Sequence, residues 1–352
     1  MSAKEKLKAR CSSCLRGALA GDCIGARFES VWADYIPSKD VEEWIDAATS
    51  SSPTLSDGTG TSKRSAGVLK YTDDTAMLRP LHEHLTKNHG RVVGRELAQE
   101  FVQGYFRQPN RGYGRSVTKI FEALRDGFAM EDVPGTYNYL HPAASSFHGK
   151  GSFGNGASMR AAPCAILNSD SWDDARLAAE NQARITHANP DGILGAVVLT
   201  RAVWQALQLP SGFGERERLF FVPNISSALA KDSAHADNWL ASLGELLELR
   251  ERWEASSSSY PSVDEEAKEI AKKLGHDVSA LRSVPTAIYS FLRAHQLNQG
   301  VRGAISFACA VGGDTDTIAS MAGAIAGAAG LDFPQQLWRN CEGNELPMYN
   351  DK

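Results

Sequence analysis

Two short stretches gather carboxylates and hydroxyls in a way that suits a cation. One reads Tyr71-Thr72-Asp73-Asp74-Thr75, the other Gly312-Gly313-Asp314-Thr315-Asp316-Thr317. Each stands at the opening of a stretch with helical character. A helix start takes a carboxylate or hydroxyl as its cap, so plain N-capping accounts for one Asp at each place. It does not account for two carboxylates with flanking threonines, twice over. Adjacent carboxylates raise each other's proton affinity unless a cation sits between them. Four carboxylates and several hydroxyls, with no Cys or His, suit a hard, oxygen-seeking ion such as magnesium.

A third stretch is a candidate for holding an anion: Gly149-Lys150-Gly151-Ser152-Phe153-Gly154-Asn155-Gly156. Glycine-dense turns ahead of a helix expose backbone N–H groups that bind phosphate oxygens. It is not a Walker A sequence, because Ala144 stands where the first Gly belongs and Gly151 replaces the hydroxyl residue after Lys150. A purely structural turn is the plain alternative, and Lys150 reads equally well as an anion contact or a surface lysine. A fourth stretch runs from Gly17 to Glu29. Gly17, Gly21 and Gly25 recur every four positions on one helix face, which predicts close packing. Glu29 lies just beyond, where the chain leaves the helix; taken alone it reads as a solvated acid.

The remaining reactive residues invite plainer readings. His187, in Thr186-His187-Ala188-Asn189, lies between two helices and by itself reads as a hydrogen-bonded structural residue. His82, His84 and His89 read as surface residues and not as a metal site. Cys11 and Cys14 form a CxxC with no second pair, in an amphipathic stretch, and read as half-buried helix residues. Six cysteines in 352 residues, without a secretory start, suit a reduced intracellular protein.

The elements that must position these groups are predicted to be helices. Helical patterning covers residues 4–20, 92–106, 117–125, 175–186, 192–207, 239–253, 263–274, 284–295 and 318–329. Ser171-Trp172-Asp173-Asp174 and Ser262-Val263-Asp264-Glu265 resemble capping boxes, and Gly275 ends the helix that the second one opens. Pro285 suits a first-turn position. The stretch 192–207 is apolar nearly all round, so it predicts a central helix. Strict two-residue alternation is scarce, which points to an all-α or nearly all-α domain. Residues 49–65 and 256–261 read as loops, and no internal repeat is present.

Bulk properties exclude some classes. The net charge of −5 argues against general nucleic-acid or membrane-surface binding, which needs a basic face. The N-terminus is basic and then apolar, like a signal peptide, but Asp22 and Arg27 break the run. No stretch reaches the roughly 20 apolar residues that span a bilayer.

Together the four stretches resemble the ADP-ribosylglycohydrolases, over about Arg16 to Cys341. Phe28-Glu29, Arg111-Gly112-Tyr113-Gly114, Phe147-His148-Gly149-Lys150-Gly151-Ser152 and Ser283-Val284-Pro285-Thr286-Ala287-Ile288-Tyr289 look most like the branch acting on serine-linked ADP-ribose and poly(ADP-ribose). The resemblance implies one compact all-α orthogonal helical domain over 1–352. It implies that Thr72, Asp73, Asp74, Asp314, Asp316 and Thr317 ligate two magnesium ions and that Glu29 is the mobile catalytic carboxylate. Gly149, Gly151, Ser152 and Phe153 would hold the pyrophosphate and nearby ribose, with Lys150 and Gly154 in the same turn. Phe147 would pack on the adenine side, and His187 would face the substrate ribose. Two residues depart from the pattern: Phe153 stands where Tyr is expected and His148 where Asn is expected.

The implied substrates are ADP-ribosylated proteins, poly(ADP-ribose) and O-acetyl-ADP-ribose, and neither DNA nor membrane is an expected partner. A monomer of the cytoplasm and nucleus is expected, with mitochondria as a further compartment of relatives. Three other readings stand beside this one: an arginine-linked ADP-ribose hydrolase, a catalytically silent relative of the kind found in eye lenses, and a magnesium-dependent phosphohydrolase. The retention of all four Asp residues and Glu29 weighs against the silent relative.

Overall fold

Small residues decide how the centre of the molecule is built. A computed structural model describes residues 2–29, 35–50, 54–56, 63–65, 68–232, 235–255 and 262–345. Its elements are α1 (Ala3–Gly25), α2 (Ser38–Thr49), a hairpin of β1 (Thr54–Ser56) and β2 (Lys63–Ser65), α3 (Asp73–Lys87), α4 (Gly94–Arg107), α5 (Arg115–Ala129) and α6 (His141–Gly149). There follow α7 (Ala162–Leu167), α8 (Trp172–Arg184), α9 (Pro190–Gln208), α10 (Glu215–Asp232), α11 (Asp237–Ala255), α12 (Val263–Lys273), α13 (Ala280–Gln296), α14 (Gly300–Val311), α15 (Thr315–Ala328) and α16 (Gln336–Arg339). Extended structure among the described residues is confined to that hairpin and two isolated bridges, Leu69 with Cys341 and Gly154 with Ser279. The fold is all-α in class.

α1 and α15 lie in backbone contact. A Cβ on Gly21 would sit 2.1 Å from the Ala319 carbonyl oxygen, and one on Gly17 2.1 Å from that of Gly323. Only glycine permits that approach, since real carbon–oxygen contacts do not close below about 3 Å. The four-residue spacing of Gly17, Gly21 and Gly25 therefore seats α15 along one face of α1, as the sequence pattern predicts. α9, buried almost all round, packs with α13 and α15 in the same apolar cluster. A second cluster, around Phe101, Phe121 and Leu124, joins α3, α4, α5 and α8.

Several sequence expectations need correction. α13 begins at Ala280, so Pro285 lies inside the helix and not in its first turn. Proline donates no hydrogen bond to the carbonyl four residues back; that carbonyl, of Leu281, accepts instead from Ser242 Oγ at 3.4 Å. α2, α6, α7, α10, α14 and α16 carry no helix expectation from the sequence. α14 is almost wholly buried, so it lacks the polar face that makes a helix readable. His82 and His84 are both buried on α3, and only His89 of the three is exposed. His84 Nδ1 pairs with Glu100 at 2.8 Å, and its Nε2 accepts from the Val93 amide at 3.0 Å. All six cysteines are free and fully buried, Cys11 and Cys14 included. The expected loop 49–65 holds the hairpin; its other residues from 51, and the serine run 256–261, lie outside the described residues. No helix among the described residues is long and apolar enough to cross a membrane.

Candidate metal and anion site

The last turn of α1 organises both acidic stretches. Asp22, buried there, accepts from the Thr72 amide at 2.9 Å, the Thr75 amide at 3.0 Å and the Thr75 hydroxyl. It thereby anchors the start of α3. Thr315 Oγ1 donates to the Gly25 carbonyl at 2.8 Å and anchors the start of α15. Glu29 follows within the same turn, its amide donating to the Gly25 carbonyl at 3.1 Å. Phe28 packs edge-on against Trp44 of α2, with ring centroids 5.5 Å apart. Residues nearly 300 positions apart thus meet at one helix end.

The two helix starts differ. Thr72 caps α3, its hydroxyl accepting from the Asp74 amide at 3.3 Å. Asp314 stands at the cap position of α15 but makes no cap bond. Its carboxylate instead accepts from Asn155 Nδ2, so capping does not explain it. Gly312 and Gly313, at φ 80° and 71°, make the turn before it, and a Cβ on Gly313 would meet the His276 carbonyl oxygen at 2.1 Å.

The carboxylates converge. Glu29, Asp314 and Asp316 each offer an oxygen within 4.8 Å of the others. Thr317 Oγ1 donates to Asp74 Oδ2 at 3.2 Å, linking the two stretches directly. Asp74 Oδ1 is buried with no hydrogen-bond partner. Burial, and then the neighbouring carboxylates, push the Asp74 and Asp316 carboxyls well above the usual range. Asp73 is pushed up to about 8 by the same two causes. Burial and the charges of Asp314 and Asp22 raise Glu29. An isolated cluster of this kind is costly. An orphaned buried oxygen, crowded carboxylates and hydroxyl neighbours are the donor set of a hard divalent cation, so the residues fit one.

The glycine turn adjoins this centre through Asn155. It leaves α6 in the left-handed region, with φ 50° at Phe147, 58° at His148, 80° at Gly149 and 70° at Gly151. The turn follows a helix and leads only into a single 3-10 turn (Asn155–Ala157), so the helix-start geometry expected from sequence is absent. The Lys150 and Gly151 amides are already spent on the Phe147 and Ser146 carbonyls, at 3.2 and 3.0 Å. The Gly154 amide bonds Ser152 Oγ at 3.2 Å. The Ser152 and Phe153 amides have no protein acceptor among the described residues. These two N–H groups, and not those of Gly151 and Gly154, are what the turn offers to an anion. Gly151 is required by space, since its Cβ would lie 2.4 Å from the Asn189 amide nitrogen. Gly149 and Lys150 are exposed. Phe147 and Phe153 are 46% and 51% exposed, with ring centroids 6.3 Å apart.

His187 lies beneath the turn, against Gly154 and Gly156. Arg160 Nη2 donates to Thr186 Oγ1 at 2.8 Å, and that oxygen lies 2.8 Å from His187 Nδ1. Donation by the Thr186 hydroxyl to Nδ1 would use its one proton and place the imidazole proton on Nε2, toward the turn. Burial and Arg160 pull His187 down to about 3, so it is neutral.

Sequence reasoning missed Asp22 and Asn155 as site residues. Asp22 had a signal, a lone acid among small apolar residues. Asn155 had none beyond its place in the glycine stretch.

Comparison with known proteins identifies the family. A family model described as ADP-ribosylglycohydrolase matches residues 3–350. ADP-ribosylhydrolase ARH3 of Gallus gallus is 35% identical over 344 residues, 91% of this chain and 85% of that one. ADP-ribosylhydrolase ARH3 of Homo sapiens is 34% identical over 352 residues, 96% of this chain and 90% of that one. Among solved structures, one titled an ADP-ribosylglycohydrolase-related protein complex matches with a TM-score of 0.56 and 18% identity, covering 97% of this chain and 95% of that one, a likeness of fold.

Proposed function

The chain belongs to the ADP-ribosylglycohydrolase family, and from that premise we propose that it is a magnesium-dependent hydrolase releasing ADP-ribose from serine-modified proteins and from poly(ADP-ribose). One observation carries the reading: a buried carboxylate cluster with an orphaned oxygen is joined through Asn155 to a turn with two unspent amides. A cation-holding group beside an anion-holding group suits a substrate that carries ribose hydroxyls next to a diphosphate.

Thr72, Asp73, Asp74, Asp314, Asp316 and Thr317 would hold the two ions. Bound magnesium supplies an anchor for the ribose hydroxyls and lowers the pKa of a nearby water. The Ser152 and Phe153 amides bind the diphosphate, the exposed rings of Phe147 and Phe153 take the adenine, and His187 Nε2–H donates toward the ribose. The bond that breaks joins the anomeric carbon to the acceptor oxygen, through an oxocarbenium-like transition state. Glu29, whose proton affinity is raised by its surroundings, transfers the proton at that bond, as acid to the leaving oxygen or as base to the attacking water.

Incubation with serine-ADP-ribosylated peptide, with and without magnesium, tests the reading. Release of free ADP-ribose only with magnesium is expected, with arginine-linked peptide left intact. Release from the arginine peptide alone overturns the linkage; phosphate release without ADP-ribose points to a phosphohydrolase; no product from any substrate leaves a silent relative.

A further inference from the structure

A cleft of about 500 Å³ between α5 and α6 shares Phe147 with the aromatic pair but does not include Phe153. Arg115, Ser116 and Lys119 face it from α5, Ser145 and Ser146 from α6, and no carboxylate lines it. Arg115 and Lys119 have no ion-pair partner among the described residues, whereas Arg125 on the same helix is paired with Asp126. Two unspent cations beside one cavity suit phosphate oxygens.

The hydroxyls add chemistry of the opposite kind. Ser145 Oγ donates to the His141 carbonyl at 2.9 Å, and Ser146 Oγ to the Ala143 carbonyl at 2.7 Å. Their protons are spent, so each offers lone pairs to a ligand donor, such as a ribose hydroxyl or an adenine amino group. Phe147 bounds the cleft with an exposed ring, held there by left-handed backbone at Phe147 and His148. Such backbone costs about 1 kcal/mol or more per non-glycine residue, and strain of this kind collects where ligands bind. Phosphate donors, hydroxyl acceptors and an aromatic face together describe a nucleotide; a bare anion or a lipid headgroup would leave the acceptors and the ring unused.

Both walls lead back to the acidic centre. On one side Phe147 pairs with Phe153, two residues from Asn155 and its bond to Asp314. On the other, the Cβ position of Gly112 lies 3.8 Å from Asp73 Oδ1, three residues before Arg115.

We infer that the α5–α6 cleft is a second nucleotide subsite, which holds the ADP-ribosyl unit adjoining the one at the acidic centre when the substrate is a polymer. The inference rests on the proposed reading of that centre. Arg115 and Lys119 are exposed, so the double variant Arg115→Ala/Lys119→Ala folds normally. Its KM for poly(ADP-ribose) rises about tenfold, while kcat and KM for a serine-linked mono-ADP-ribosyl peptide stay unchanged. Lys119→Arg retains the polymer KM of the parent chain.

Binding is measured separately, by anisotropy of a fluorescent ADP-ribose dimer and of the monomer in a Glu29→Gln background. The dimer binds more tightly than the monomer, and the double variant erases the difference. Equal loss for dimer and monomer, or no loss for either, overturns the subsite. Displacement of the dimer label by ATP as readily as by unlabelled dimer assigns a free-nucleotide site and overturns the polymer reading. Dimer binding that depends on Arg115 and Lys119 in a parent chain that releases no ADP-ribose would keep the subsite and reject the activity.

Discussion

The acidic centre and the glycine turn are neighbours held by opposite means. The centre is buried, built by helix ends that α1 pins together, and its carboxylates repel one another. The turn is partly exposed, built by left-handed backbone, and its useful groups are amides without partners. The difference teaches where each contributes. On the proposed reading, repelling carboxylates, which store a demand for positive charge and for protons, serve the bond-breaking step. Free amides offer fixed partial charge, which on the same reading serves binding.

The largest effects fall on the centre. Glu29→Gln should cut kcat by about 100- to 10,000-fold, while calorimetry finds ADP-ribose affinity close to that of the parent chain; near-normal turnover rejects its role. Gly21→Val comes next. A side chain there must displace the Ala319 carbonyl, 2.1 Å from its Cβ, so a loss of about 3 kcal/mol or more is expected by denaturant melts. Activity falls with it, because α1 holds both acidic stretches; an unshifted melt would show that the helices can separate without harm.

Asp316→Asn distinguishes repulsion from mere packing. Removing one charge should raise the melting temperature of the metal-free protein, yet abolish most of the gain that magnesium gives the parent chain. A fall in both would mean that the carboxylates do not strain the metal-free fold. On the turn the effects are smaller and of another kind. Ser152→Ala loses the hydroxyl that accepts the Gly154 amide, so KM should rise about fivefold with kcat little changed. A change confined to kcat would erase the division between the two regions.

The smallest effect separates them by sign. His187 has a folded pKa of about 3, below its unfolded value of about 6.5. The unfolded chain therefore takes the proton first, and stability that is full above 6.5 is lost as pH falls toward 3. Asp73, at about 8 when folded, acts the other way: in metal-free protein its contribution is present below about 4 and is lost as pH rises through 8. Melting temperatures of His187→Gln and Asp73→Asn across pH 4 to 8 should change slope in opposite directions. Slopes that change alike refute one of the two assignments.

Some of this was legible in the residues alone. Thr72 at the start of α3, Ser171 and Ser262 at helix starts, and the Gly17-Gly21-Gly25 stripe are local signals, since capping and helical spacing are settled within a few residues. The pairing of carboxylates with threonines likewise marked out the residues that gather into one acidic cluster, without a fold. What sequence could not decide was which groups lose water. His82 and His84 look like surface residues until packing buries them, His84 against Glu100 of α4, and α14 shows no helical face because both faces are buried. Asp22 and Asn155 gain their parts only from partners 50 and 159 positions away. The same holds for the amides of Ser152 and Phe153, which are free because their neighbours' bonds are made elsewhere. Residue type and spacing fix what a group is able to do; solvent exclusion and distant partners fix whether it is charged, spent or available, and those arise only when remote segments pack together.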